Sequence, residues 1–352
     1  MVKPPTSNAM SCPDAQSASD AHPPEQPAAL PLAEQISTRP LGASPEAIAL
    51  PETRCLIRTG VSLTKFTSYR VGGEAELFTA PRTAEQLQDG FQWARDRGLP
   101  ITLLGAGSNL LVSDRGIAGL VICTRHFRRS TLDTGNAQLT AAAGEPLAKL
   151  AWQVADLGWQ GMEWAAGIPG TVGGAVAMNA GAHRVSTADV FLSAEVISAD
   201  GVRQRMDAEQ LQFDYRTSIL QKQPGLVTQA TFQLQPGADP QQVIAKTRDF
   251  LNYRHTTQPY DLPSCGSVFR NPTSHKAGWL IEHAGLKGYQ IGQAQVSERH
   301  ANFIVNLKQA SAQDIFNLIS HVQQQVEQRW AIKLHPEVRL LGDFGTREAK
   351  IS

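Results

Sequence analysis

The chain has 352 residues with 32 basic and 32 acidic side chains, so its formal net charge is zero. This length is sufficient for two or three domains with well-buried cores. The balanced charge gives no support for a nucleic-acid-binding or membrane-binding protein, because both classes usually carry a basic excess.

The first fifty residues differ in composition from the rest of the chain. They contain 9 of the 21 prolines and no aromatic residue, and they lack the apolar periodicity that could repay the entropy lost on ordering. We therefore predict that residues 1–50 form a disordered extension rich in proline and alanine. The segment has no continuous apolar run typical of a secretory signal, and no later run approaches the ~20 residues that span a bilayer. A cytoplasmic protein is predicted.

The cysteines and histidines give no sign of a metal site. The four cysteines are widely separated and form no CxxC pair, which favours reduced thiols over disulfides or zinc ligands. The nine histidines form no HxxxH or comparable pair. We predict no bound metal.

Strands and helices are predicted in mixed order from about residue 60. Strands are predicted over residues 75–81, 101–105, 120–123, 138–144, 193–201, 226–234 and 338–342. Helices are predicted after a capping box of Thr83 and Gln86, over residues 145–158, from Asp239 and Pro240, and from Ser311 through Trp330. The order lacks the strict alternation of a doubly wound sheet, so an α+β fold is predicted, with a domain boundary near residue 236.

Two glycine-rich segments point to a dinucleotide. The first, Gly105-Ala106-Gly107-Ser108-Asn109, follows a predicted strand but is not a Rossmann fingerprint, because a strand and a turn follow it instead of a helix. Its backbone N–H groups could converge on an anion, although a plain tight turn explains the same residues. The second, residues 167–181, is interpreted as a loop whose glycines permit close approach of a large flat ligand.

Six motifs carry a family resemblance. They are GAGSN (105–109), GIPGTVGGAVAMNAGA (167–182), FDYRTS (213–218), GSVFRNP (266–272), VSERHANFIVN (296–306) and HPEVRLLG (335–342). Together they resemble the vanillyl-alcohol-oxidase type of FAD-binding fold. More narrowly, they resemble the UDP-N-acetylenolpyruvoylglucosamine reductases (UDP-N-acetylmuramate dehydrogenases), in the compact subtype of that family. The resemblance covers roughly residues 60–343.

The resemblance implies both an architecture and a reaction. A two-lobed FAD-binding domain is expected over residues 51–236, a smaller α+β substrate-binding domain over 237–334, and a C-terminal strand and tail over 335–352, with the strand returning to the active site. The family uses NADPH and non-covalent FAD to reduce UDP-N-acetylglucosamine enolpyruvate to UDP-N-acetylmuramate in peptidoglycan precursor synthesis. A monomer with a small UDP-sugar substrate and no nucleic-acid or membrane partner is therefore expected.

The resemblance also implies site residues. It assigns catalysis to Arg216, Ser267 and Glu337. It assigns FAD binding to Gly105, Ala106, Gly107, Ser108, Asn109, Gly167, Gly170, Thr171, Gly173, Gly174, Ala175, Asn179, Gly181 and Arg339. Substrate binding is expected at Tyr215, Arg254, Arg270 and Asn271.

The residues themselves leave several alternatives open. In an extended segment Cys265 and Ser267 would share one face, so the thiol is a rival proton donor. Ser267 could instead be a strand-end hydroxyl bonded to backbone, and Glu337 could simply form a salt bridge with Arg339. Another flavin oxidoreductase of the same fold and a non-catalytic nucleotide-sugar sensor are the alternative functions.

Overall fold

The first sheet has five strands in the order β1-β2-β3-β6-β4, within a computed structural model that describes residues 47–345. Their bounds are Ala47–Ala49 (β1), Leu56–Ser62 (β2), Glu74–Thr79 (β3), Ile101–Leu104 (β4) and Ile117–Cys123 (β6). Strand β6 pairs parallel with β3 and β4, and the other pairs are antiparallel. Ala47–Ala49 pairs with β2, so these residues of the predicted extension belong to the sheet, and residues 1–46 of that extension lie outside the described residues.

Helix α1 (Ala84–Arg95) follows β3 and confirms the predicted helix start. Thr83 Oγ1 accepts a hydrogen bond of 3.2 Å from the backbone N–H of Gln86. The Gln86 side chain accepts from the N–H of Arg82, not of Thr83, so only half of the predicted capping box forms. Beyond the helix, Gly98 adopts a φ of +62° that ends the helical path.

The second sheet is fully antiparallel, in the order β12-β11-β13-β8-β7. Its strands are Ser130–Asp133 (β7), Gln138–Ala142 (β8), Phe191–Ser198 (β11), Arg203–Met206 (β12) and Gly225–Gln233 (β13). The helices of this part are Leu147–Ala155 (α2), Val172–Met178 (α3) and Ala208–Leu211 (α4), and Gly181–Ala182 (β9) pairs with Val185–Ser186 (β10). Apolar side chains of α2 and α3 pack on this sheet and form its core.

A third set of elements follows. It comprises helices Pro240–Thr257 (α5), Ala277–His283 (α6) and Ala312–Trp330 (α7), and an antiparallel sheet of Gln290–Ile291 (β14), Ala294–Val296 (β15) and Ile304–Asn306 (β16). Helix α7 begins at a capping box of Ser311 and Asp314 and buries the predicted apolar stripe. Helix α5 packs Phe250 and Leu251 against the core of the second sheet, although it lies in the range predicted to bind substrate.

A short parallel strand pair joins the C-terminal part of the described chain to the segment after β4. Strand β17 (Arg339–Leu341) pairs with β5 (Leu110–Val112), with Arg339 opposite Leu110. The C-terminal segment therefore lies directly beside the first glycine-rich motif. The mixture of parallel and antiparallel sheets confirms the α+β prediction. No helix within residues 47–345 is long and apolar enough to cross a membrane.

Candidate active site

The first glycine-rich motif is a loop between β4 and β5 that packs against the chain at Phe66. Gly107 has a φ of +69°, and a side chain there would overlap the carbonyl oxygen of Phe66, so only glycine fits. Arg125 holds the same loop, because its Nη2 donates to the carbonyls of Ala106 at 2.8 Å and Phe66 at 3.2 Å. Sequence reasoning missed Arg125, since an isolated arginine after a strand carries no motif.

The second glycine-rich motif contains a helix where a loop was predicted. Residues Val172–Met178 form α3, which begins after Thr171 and ends at Asn179 with a φ of +42°. Val172 and Val176 are both buried, four residues apart, and that spacing was the available signal for a helix. Gly173 is needed for packing, because a Cβ there would come within 3.0 Å of Ala143.

The two motifs meet at a surface that fits a dinucleotide. Ser108 Oγ donates to the carbonyl of Pro169 at 2.7 Å and joins one motif to the other. Thr171 Oγ1 is buried without a hydrogen-bond partner, and it lies 2.5 Å from where a Cβ of Gly105 would be. An unpartnered buried hydroxyl between glycine backbones suits contact with a polar ligand. These residues fit FAD, which they would hold through backbone N–H groups and the Thr171 hydroxyl.

Two predicted cofactor residues mainly make contacts within the protein. The Asn179 side chain donates to the carbonyl of Asp214 and accepts from the N–H of Ala188, both at 3.0 Å. Gly181 allows the tight hairpin of β9 and β10, because a Cβ there would overlap the carbonyl of Val185. The remaining predicted FAD residues lie along the two motifs, except Arg339, which is exposed on β17 and donates its backbone N–H to the carbonyl of Asn109.

Arg216 and Glu337 meet in an ion pair. Arg216 Nε lies 2.9 Å from Glu337 Oε1, with side chains 23% and 14% exposed. The Nε–H has no hydrogen-bond partner of good geometry, so the contact is an ion pair and not a well-directed hydrogen bond. The alternative ion pair between Glu337 and Arg339 does not form. The Arg216 guanidinium also lies 5.5 Å from the ring centroid of Tyr215, which is half exposed.

The carboxyl group of Glu337 sits in a partly desolvated position between two arginines. Burial raises the pKa of Glu337 above its ordinary value, and the nearby charges of Arg216 and Arg270 offset only part of that rise. Its backbone is fixed on both sides. The Glu337 N–H donates to the carbonyl of Val268 at 2.7 Å, and its own carbonyl accepts from Asn109 Nδ2 at 3.0 Å.

Ser267 directly precedes Val268, whose carbonyl accepts the Glu337 N–H, whereas the Cys265 side chain points towards Leu110. Gly266 has a φ of +73°, so the segment is not extended and Cys265 and Ser267 do not share a face. Cys265 Sγ donates to the carbonyl of Leu110 at 3.2 Å, and burial raises the pKa of the Cys265 thiol to about 12. Among the described residues the Ser267 hydroxyl has no hydrogen-bond partner, so the alternative of a backbone-bonded serine is wrong. Of the two groups, only Ser267 is available to a ligand.

The predicted substrate residues flank these groups. Arg270 Nε is buried without a partner, and Asn271 Oδ1 accepts from the N–H of Ala277 at the start of α6. Arg254 Nε donates at 3.0 Å to the hydroxyl of Tyr260, which donates at 2.7 Å to the carbonyl of Gly167. Arg254 is therefore tied to the second glycine-rich motif. Tyr260 was missed, because a single tyrosine in a connection has no distinctive sequence pattern.

Comparisons with known proteins give the chain's relatives. A family model described as "FAD binding domain" matches residues 75–207, and one described as "UDP-N-acetylenolpyruvoylglucosamine reductase, C-terminal domain" matches residues 258–341. The chain is 60% identical to the UDP-N-acetylenolpyruvoylglucosamine reductase of Trichormus variabilis, over 84% of this chain and 90% of that protein. It is 54% identical to the reductase of Synechocystis, over 88% and 98%.

A solved structure gives the same result. The crystal structure of the UDP-N-acetylenolpyruvylglucosamine reductase from Thermus caldophilus matches with a TM-score of 0.71 and 34% identity, over 82% of this chain and 99% of that one. The expected FAD-binding domain with an additional α+β part is thereby confirmed. The chain belongs to the UDP-N-acetylenolpyruvoylglucosamine reductase family.

Proposed function

We propose that this chain is the FAD-dependent enzyme that uses NADPH to reduce UDP-N-acetylglucosamine enolpyruvate to UDP-N-acetylmuramate in peptidoglycan precursor synthesis. The observation that carries the proposal is the contact of Arg216 with Glu337, whose N–H donates to the carbonyl of Val268, the residue after Ser267. FAD, when bound, supplies the hydride relay between NADPH and the enolpyruvyl double bond. Charge stabilisation, proton delivery and substrate binding are proposed to depend on side chains of this chain.

Arg216 is proposed to stabilise negative charge. Hydride addition to the terminal vinyl carbon leaves an electron pair on the carbon that bears the ether oxygen, delocalised into the neighbouring carboxylate. A guanidinium matches the geometry of such an oxygen pair and is weakly hydrated, so it can act in a desolvated site. The Nη1 and Nη2 groups of Arg216, which have no hydrogen-bond partner among the described residues, are proposed to make this contact.

Ser267 is proposed to deliver the proton that completes the reduction. A serine hydroxyl is a weak acid, so it can donate only in concert with charge development and from a fixed position. Glu337 is proposed to hold a proton in the site or to polarise the intermediate, which suits a carboxyl group whose pKa is raised by burial. Arg270, Asn271, Arg254 and Tyr215 are proposed to contact the UDP-sugar, with arginines opposite its phosphates.

Each proposed domain has its own role in the reaction. Residues 51–236 would hold FAD, residues 237–334 would bind the substrate, and residues 335–352 would bring Glu337 to the site. The extension of residues 1–50 is not assigned a role in catalysis. A cytoplasmic monomer is proposed, because NADPH and UDP-sugars are cytoplasmic metabolites and every residue proposed for the site comes from one chain. Sedimentation equilibrium tests the monomer.

One assay tests the proposed function. NADPH oxidation by the flavin-loaded protein is followed with and without UDP-N-acetylglucosamine enolpyruvate. Oxidation that depends on the UDP-sugar, with formation of UDP-N-acetylmuramate, is the expected result. Flavin that is reduced by NADPH but not reoxidised by the UDP-sugar would contradict the proposal. Binding of the UDP-sugar without any turnover would instead favour the nucleotide-sugar sensor.

A further inference from the structure

The turn that carries Arg216 is backbone-strained. Asp214 and Thr217 exchange two backbone hydrogen bonds of 3.1 Å, and Arg216 sits between them with a φ of +58°. A residue with a Cβ adopts this left-handed backbone conformation only at a cost in free energy. Such a turn persists when surrounding contacts hold it, so the contacts around Arg216 decide where its guanidinium points.

Gln221 provides the most direct of these contacts. Its Nε2 donates to the carbonyl of Arg216 at 3.0 Å and to the carbonyl of Ala177 at 3.2 Å. Ser218 Oγ donates to the same carbonyl of Ala177 at 2.8 Å. Ala177 belongs to the last turn of α3, where carbonyls lack intrahelical partners and accept bonds from elsewhere. Both N–H groups of the Gln221 amide are therefore used to join the Arg216 turn to this helix.

The other side of the turn is fixed to the same helix end. Asn179, directly after α3, donates to the carbonyl of Asp214 at 3.0 Å. The turn is thus held to one end of α3 at Asp214, at Arg216 and at Ser218. Of the side chains that hold it, only Gln221 binds the carbonyl of Arg216 itself. None of its polar atoms contacts Glu337, so any effect on the ion pair must pass through Arg216.

We infer that Gln221 is a positioning residue for Arg216, whose carbonyl it fixes to the C-terminal end of α3 so that the guanidinium faces Glu337. The inference rests on the proposed function. It predicts that Gln221 matters when negative charge develops on the substrate. Gln221 is not required when NADPH reduces the bound flavin, because Arg216 has no part in that half of the reaction.

The test separates the two half-reactions in the flavin-loaded enzyme. Gln221→Glu keeps the shape of the side chain but replaces both N–H donors with an oxygen that faces two carbonyls. We expect reoxidation of the reduced flavin by the enolpyruvyl substrate to slow on the order of 100-fold, as when a catalytic group is misplaced by about 1 Å. Flavin reduction by NADPH should stay within about twofold of wild type. Gln223→Glu is the matched control, because its exposed side chain has no partner among the described residues.

A second variant gives a readout that a merely structural role would not change. The charged groups that face the Glu337 carboxyl are Arg216 and Arg270, and both lower its pKa against the effect of burial. Gln221→Met is neutral and similar in length but cannot donate a hydrogen bond to the carbonyl of Arg216. Arg216 is then no longer held facing Glu337. The pKa that Glu337 contributes to the pH profile of flavin reoxidation should then move upward from its wild-type value.

Each remaining outcome decides the question. Gln221 variants that match Gln223→Glu in both half-reactions would overturn the inference. An equal slowing of both half-reactions, with the pKa of Glu337 unchanged, would also overturn it. A loss of FAD and of thermal stability that Gln223→Glu does not share would do the same, because either result would mean that Gln221 has a structural role. A wild-type protein whose flavin is never reoxidised by the UDP-sugar would instead overturn the proposed function itself.

Discussion

The side-chain amide of Asn109 donates a hydrogen bond of 3.0 Å to the main-chain carbonyl of Glu337, across 228 positions of sequence. The carbonyl of Asn109 in turn accepts from the N–H of Arg339 at 3.1 Å. One residue of the first glycine-rich motif therefore holds the backbone on both sides of Val338. The position of the Glu337 carboxyl group depends on the loop that is proposed to bind FAD.

Replacing Asn109 tests this dependence. In Asn109→Asp a carboxylate oxygen faces the Glu337 carbonyl, and we expect a loss of about 1–3 kcal/mol of stability for the broken buried hydrogen bond. Flavin reoxidation by substrate should slow, because Glu337 is displaced. Differential scanning calorimetry and stopped-flow absorbance check the two effects. Asn252→Asp, on the exposed side of α5, is the control, and equal behaviour of the two variants would contradict the prediction.

Ser267→Ala should separate the two halves of the reaction. Removing the hydroxyl leaves the dinucleotide surface intact, so flavin reduction by NADPH should keep its wild-type rate. Flavin reoxidation should fall by about 100- to 10,000-fold, the usual contribution of a positioned proton donor. Single-turnover stopped-flow measurements check this, with the exposed Ser274→Ala as control. Equal losses in both halves would make Ser267 structural.

The raised pKa of Glu337 predicts a pH-dependent cost in stability. A carboxyl group whose folded-state pKa lies above its unfolded value favours folding while it is protonated, and that contribution is lost as the pH rises through the folded pKa. The pH range in which stability is lost begins at the ordinary glutamate pKa of 4.5 and extends upward, because burial raises the folded-state pKa of Glu337. Glu337→Gln has no carboxyl group to ionise and does not lose this stability. The melting temperature of the variant should therefore rise relative to that of wild type as the pH increases through this range.

Melting curves over this pH range, with Glu327→Gln on α7 as an exposed control, check the prediction. A difference between Glu337→Gln and wild type that stays flat with pH would mean that the carboxyl group is as well solvated in the folded chain as in the unfolded one. A difference that shrinks as pH rises would mean that Arg216 and Arg270 outweigh the burial.

Two glycines with similar backbone angles should respond differently to alanine. Gly107 and Gly266 have φ values of +69° and +73°, but a Cβ at Gly107 overlaps the Phe66 carbonyl and a Cβ at Gly266 meets nothing within 4 Å. Gly266→Ala should cost only the left-handed strain, about 1–2 kcal/mol. Gly107→Ala should cost more than about 3 kcal/mol, because backbone must move as well. Calorimetry on both variants checks this, and similar melting temperatures would contradict it.

Cys265 should be inert. Burial raises the pKa of its thiol to about 12, so almost no thiolate exists at neutral pH. We expect no alkylation of Cys265 by iodoacetamide in the folded protein and full alkylation after unfolding, measured by mass spectrometry. Cys265→Ala should retain flavin reoxidation by substrate. A loss of that step without a loss of FAD would restore the thiol as a proton donor.

The fold was predictable where a pattern was long and local. Helix α7 followed from an apolar stripe of several turns and a capping residue. Helix α3 was not predicted, because two glycines lower helix propensity and only Val172 and Val176 mark its buried face. Tertiary packing overrides propensity there.

The contact between Arg216 and Glu337 could not be predicted from the sequence. The family motifs indicated Arg216, Ser267 and Glu337, and sequence spacing then suggested Arg339 as the partner of Glu337. The ion pair goes to Arg216 instead, because the pairing of β17 with β5 and the turn after α4 bring these residues together. Nothing local in the sequence encodes a contact between two such distant segments.

The pairing of β17 with β5 also makes the candidate site depend on residues that are synthesised late. Both sheets that carry the glycine-rich motifs are complete once residue 233 has been made, and domains near the N-terminus fold first on the ribosome. Glu337 joins them only when residues 335–341 have been made as well. A nascent or C-terminally clipped chain that ends at residue 334 therefore lacks Glu337, Arg339 and the strand that pairs with β5, and it cannot complete the site at which substrate would be reduced.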